Sequence, residues 1–169
     1  MKLKHIMLMI AALLVTNGLV SQWNINRLVT NEHRVVHVQE VLTALEEVLT
    51  TVTEAETSER GFLITDDAQY LRLYESAVGR IQETLDRLTM LTEGEAGQLE
   101  LIAALRERVA SRVVELERAI AARRAGGFDA ARQSVSTNQG RRLMSEMRNL
   151  VGQMQMRQHE SLAAAAAES

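Results

Sequence analysis

The chain has 169 residues, 46% of them apolar, with a formal net charge of −3, no proline and no cysteine; one domain is the prior, and disulfide or thiol chemistry is excluded. Aromatics are scarce and the composition leans on Ala, Leu, Glu, Arg, Gln and Met, the good helix formers, so the chain reads as all-α rather than as a sheet protein. Both lysines stand at the extreme N-terminus, and the body sets 17 arginines against 22 acidic residues with no basic stripe, which argues against a nucleic-acid partner.

Lys2 and Lys4 precede a largely apolar run over residues 6–20, and Trp23 follows where an interfacial aromatic would sit. About 20 helical residues cross a hydrocarbon layer of about 30 Å. Residues 1–4 are therefore expected to be a cytoplasmic tail and residues 5–23 an uncleaved transmembrane signal anchor of the inner membrane. Thr16-Asn17-Gly18 also fits a small-residue cleavage site. Both readings export the rest of the chain to the periplasm or the cell exterior.

Four apolar stripes follow. Val38, Leu42, Leu45, Leu49 and Val52 form a heptad seam that extends back through Val35 and Leu28 without a breaker, so helix 1 is expected to be continuous with the anchor and to run to about Arg60. Residues 61–65 read as a break, with Asp66 as N-cap of helix 2 and Gln69 completing a capping box. Leu71, Tyr74, Val78, Ile81, Leu85 and Leu88 carry helix 2 to about Leu91, before a turn at Thr92-Glu93-Gly94-Glu95 in which Thr92 and Glu95 pair as a second capping box. Ile102, Leu105, Val109, Val113, Leu116 and Ile120 define helix 3, which should stop at Gly126-Gly127. Helix 4 starts near Phe128, has a weak patch at residues 136–140, resumes through Leu143, Met147, Leu150 and Met154, and ends in alanines over residues 163–169. Short loops between four stripes predict an antiparallel up-down-up-down four-helix bundle over residues 24–162, with helices 1 and 4 continuing toward the bilayer as a stalk.

Few residues suggest chemistry. His33 and His37 share a helix face, but a zinc site needs a third and fourth ligand, and no His or Cys nearby supplies one. No nucleophile triad, phosphate loop or HExxH run occurs, so neither an enzyme nor a cofactor is expected. The methionines of helix 4 read as ordinary core. The informative place is the end of helix 1. Glu56 and Arg60 have the spacing of an i,i+4 ion pair. The seam's next positions are Glu56 and Glu59, so the apolar stripe turns acidic. A carboxylate at a core position must be paired or wetted. That points to a polar, ligand-responsive pocket at the membrane-distal end, or to a structural cap that pins the first turn.

The run Ala55-Glu56-Thr57-Ser58-Glu59-Arg60-Gly61-Phe62-Leu63-Ile64-Thr65-Asp66-Asp67, followed by Tyr70-Leu71 and Tyr74, resembles the third class of CHASE domains. These are extracellular sensory domains attached to histidine kinases, diguanylate cyclases and chemoreceptors. The stretch from His37 to Leu42 resembles the family's entry, and Met147-Arg148 and residues 159–162 resemble the end of its last helix. The resemblance covers about residues 23–163. Asp66 replaces the family's glycine, so the turn is expected to be tighter or shifted. The resemblance implies a periplasmic sensor working as a homodimer, with an unknown small-molecule or protein stimulus, a kinase, cyclase or chemoreceptor output module, and Glu56, Arg60, Gly61, Asp66, Tyr70 and His37 as signalling or structural hub. No second apolar span follows Leu162 in this sequence. It fits either a piece of a longer receptor or a stand-alone anchored bundle acting as an adaptor or structural envelope protein.

Overall fold

The computed structural model describes the backbone of residues 2–135 and 138–167, with side chains described from Arg34 onward apart from a few positions, and only sparsely before it. The chain forms α1 (Lys2–Thr65), α2 (Ala68–Leu91), α3 (Ala96–Val135) and α4 (Gln139–Ala167), with no strand among the described residues. The all-α, four-helix expectation is met.

Cross-helix pairs fix the directions. Arg80 pairs with Glu54 and Arg87 with Glu47, while His37 Nε2 lies 3.8 Å from Glu95. Positions rise on α1 as they fall on α2, so the two helices are antiparallel about residues 66–67. Likewise Arg108 binds Glu146 at 2.8 Å and Gln98 donates to the Met154 carbonyl at 3.3 Å. Those pairs converge on residues 126–127. The chain therefore reverses inside α3, at Gly127, whose φ of 74° and ψ of −164° only glycine adopts readily. Residues 128–135 form the first turns of the descending helix, as the sequence led one to expect, although helical hydrogen bonding runs on to Val135. In the patch expected to be weak, Ser136 and Thr137 lie outside the described residues, and α4 begins within it, at Gln139.

The core is a continuous apolar seam. Val41, Leu45, Val48 and Val52 of α1 pack with Ile81, Leu85 and Leu88 of α2, Leu105 and Val109 of α3, and Met147 and Met154 of α4, all essentially inaccessible to water. Met144 is buried too, whereas Met156 is exposed. The expected α1 seam is offset: Leu42 and Leu49 are only half-buried, and Val41 and Val48 take the centre. A helix flanked by neighbours on both sides buries a face wider than a two-helix seam, and this moved the centre by one residue.

Three local expectations are corrected. α1 does not stop at Arg60 but continues to Thr65, because Phe62 and Leu63 are buried and Thr65 Oγ1 donates to the Gly61 carbonyl at 2.7 Å. The N-cap of α2 is Asp67, which accepts from the Gln69 amide at 2.8 Å; Asp66 instead takes φ 61° and ends α1, its amide donating to the Phe62 carbonyl at 2.9 Å. Asp tolerates that left-handed conformation better than most residues. Thr92 caps α2 and not α3: its hydroxyl donates to the Leu88 carbonyl at 2.9 Å.

α1 spans 64 residues, roughly 96 Å at 1.5 Å per residue. The α2–α3 turn lies opposite His37, so α1 runs on for some 35 residues beyond it. Most side chains of the expected anchor, residues 5–23, lie outside the described set. Among the described residues, no helix is long and apolar enough to cross a membrane.

Candidate functional site

Charged side chains enter the bundle interior at one level, two to three turns below the Asp66 turn. Arg112 of α3 is largely buried. Its Nε donates to Glu56 Oε1 at 2.7 Å, its Nη2 lies 2.6 Å from the same oxygen, and its Nη1 donates to Glu115 Oε2 at 2.7 Å. The three side chains are between 11% and 15% exposed, so they form a nearly dehydrated acid–base–acid group. Such a group persists because each charged side chain is hydrogen-bonded to an opposite charge, the two carboxylates sharing one guanidinium.

Glu59, one turn above Glu56, is 3% exposed. Burial pushes its carboxyl up to about 7, outweighing the pull of the Arg112 and Arg60 charges. Tyr74 of α2 is also buried, and its hydroxyl has no hydrogen-bond partner. Burial, with the charges of Glu117 and Glu59 beside it, pushes that phenol up to about 12. The level thus combines a satisfied arginine with a carboxyl that titrates near neutral pH and a phenol held in its neutral form.

The residues expected to act together divide among several roles. Glu56 belongs to the buried group, but its partner is Arg112 and not Arg60. Arg60 is exposed and stands at the rim of a cleft of about 370 Å³ that also takes in Arg112, Gly140, Arg141 and Arg148. Gly61 is required by packing: a methyl there would overlap the half-buried Tyr70 ring. Asp66 is exposed at the turn, 3.7 Å from Arg123. His37 is at the opposite end of the bundle. Arg112 and Glu115 were missed. The signal was present, since position 112 falls three residues after Val109 on the buried stripe, where an arginine demands buried acids. The sequence reading assigned that slot to Val113, which is only half-buried.

At the other end, polarity is carried mainly by amides. Gln158 Nε2 donates to Glu95 Oε2 at 3.0 Å, and the Gln98 amide donates to the Met154 carbonyl. Among the described residues, no group of three His, Cys, Asp or Glu side chains could hold a metal ion.

The CHASE3 domain profile matches residues 31–168, nearly all of the bundle. Among solved structures, the chain is similar to the Rhodopseudomonas palustris histidine kinase HK9 sensor domain: 26% identity over 75% of this chain and 98% of that one, with a TM-score of 0.66. No curated protein matches it significantly. A profile match over most of the chain and a shared four-helix fold agree: the chain belongs to the CHASE3 domain family and is a sensory input domain.

Proposed function

We propose that this domain is the exported sensory part of a membrane-bound receptor, in which a stimulus near the Asp66 end shifts α1 against α4 and the shift passes toward the bilayer. The continuity of α1 carries this reading: one helix joins the Glu56–Arg112 level to the apolar segment that begins just after Lys4. Residues 5–23 would be the anchor, with residues 1–4 in the cytoplasm. Residues 24–36 would be an exposed stalk of roughly 20 Å. Helix translations of about 1–2 Å are an attested switching mode. The receptor works as a homodimer, and a kinase is the favoured output module because the similar solved structure is a histidine kinase sensor domain.

In this reading Glu56, Arg60, Asp66 and their neighbours are the responsive level, while Gly61 and Tyr70 hold the helix pair in register. His37, facing Glu95, marks where α1 leaves the bundle. Alkaline phosphatase fused after Ser169 should be active in intact cells, and a fluorescent protein fused there should stay dark. The opposite pattern defeats the exported orientation. In a full-length receptor Arg60→Ala should change output while the domain stays folded; unchanged output removes Arg60 from the mechanism.

A further inference from the structure

The cleft beside the buried acid–base group has an unusual charge balance. In a chain of net charge −3, it gathers Arg60 from α1, Arg112 from α3, and Arg141 and Arg148 from α4 around the single lining carboxylate of Glu56. Arg112 is engaged by Glu56 and Glu115. Among the described residues, Arg141 bonds only the neutral amide oxygen of Asn138. Among the described residues, Arg60 and Arg148 hold no carboxylate. Four guanidinium groups therefore face two carboxylates, and two positive charges remain uncompensated. Glu59, the next acid inward, has its carboxyl pushed up to about 7 by burial, so at pH 7 it carries only about half a negative charge and offsets only part of that excess. By contrast, Arg80 and Arg87, on the face that α1 shares with α2, each hold a carboxylate.

The cleft is also shaped for a ligand. Its volume, about 370 Å³, falls in the range of small-ligand sites, about 300 Å³ and upward. Gly140 forms part of its floor. A Cβ there would meet Arg112 Nη1 at 2.6 Å and Cζ at 2.8 Å, so the guanidinium lies directly on the α4 backbone. Gly140 and Arg141 belong to the first turn of a 29-residue helix, whose dipole adds positive potential. Guanidinium forks match carboxylate and phosphate oxygens in pairs.

We propose that this cleft binds a small polyvalent oxyanion, a di- or tricarboxylate or inorganic phosphate, gripped by Arg60 from α1 and Arg148 from α4 above the fixed Arg112. This rests on the sensory reading given above and gives it a ligand class. An anion held between Arg60 and Arg148 ties together the two helices that lead away from the bundle.

The test uses the full chain purified in detergent micelles, titrated calorimetrically with citrate, succinate and inorganic phosphate at constant ionic strength, with sodium chloride as control. Saturable one-to-one binding of at least one of the three is expected, with a matching rise in Tm. Binding of citrate or succinate alone identifies a carboxylate site, and binding of phosphate alone a phosphate site. Arg60→Gln and Arg148→Gln should each weaken binding at least tenfold with unchanged circular dichroism, since both side chains are exposed. Arg72→Gln, exposed on α2 outside the cleft, should leave it unchanged. No saturable binding beyond the chloride control, or binding indifferent to both cleft variants, overturns the proposal. If no anion binds yet Arg60→Ala still alters receptor output, the ligand class falls and the sensory reading stands.

Discussion

The two ends of this bundle satisfy buried polarity by different means. Near the α2–α3 turn, Gln98, Gln158 and Thr92 are buried neutral groups. At the Asp66 end the buried groups are ions: Arg112 between Glu56 and Glu115, with Glu59 beside them. A neutral amide loses little when one bond goes, because the net worth of such a bond is about 1 kcal/mol. A buried ion left alone costs several times that. The amide end should therefore behave as passive packing. The ionic end is where a change of charge, by a proton or by a ligand, has energetic leverage.

Removing the ion that holds the charged level together should have the largest effect. Arg112→Ala leaves Glu56 and Glu115 facing each other without a cation, and urea unfolding should show a loss of about 3–5 kcal/mol. A loss below about 1 kcal/mol would mean that water already screens this group, and the contrast between the ends would collapse.

Glu59 gives the next effect, and its sign depends on pH. Its folded-state value, about 7, lies above its ordinary 4.5. Between those values the folded state holds a proton that the unfolded chain has released. Stability should therefore fall as pH rises from about 4.5 to about 7 and then level off. Glu59→Gln should remove this slope, leaving stability unchanged near pH 4 and raising it by about 3 kcal/mol at pH 8. Denaturation midpoints measured across that range decide the matter.

The amide end should respond less. Gln158→Ala forfeits one bond to Glu95 and some packing, a loss of about 1–2 kcal/mol in the same assay. The smallest change is a gain: Tyr74→Phe deletes a buried hydroxyl that has no partner, and Tm should hold or rise slightly, equivalent to under about 1 kcal/mol.

Much of this was legible in the residues. The Gly126-Gly127 reversal was, because no other residue adopts φ 74° and ψ −164° as cheaply. So was the extent of α2, whose stripe runs cleanly to Leu88. The Gly61 break was misread because its glycine serves the Tyr70 ring and not a turn, and the packing of a residue nine positions away leaves no local mark. Asp66 and Asp67 could each have been the cap, and backbone geometry alone chose between them. Thr92 went astray for a related reason: threonine can close the helix behind it as readily as open the one ahead. At the site, Glu56 and Glu59 declared themselves by interrupting an apolar seam. Their partner did not, because the Arg112–Glu56 pair joins residues 56 positions apart, and no pattern within one helix reports it.

The length of α1 has a mechanical corollary. His37, opposite Glu95, divides the helix into an inner arm of roughly 42 Å up to Thr65 and an outer arm of roughly 52 Å down to Lys2. With a fulcrum at that level, a tilt of the rod swings its two tips by similar distances in opposite directions. Because the outer arm is the longer by about a quarter, sideways motion at the upper tip reappears inverted and slightly enlarged at the lower.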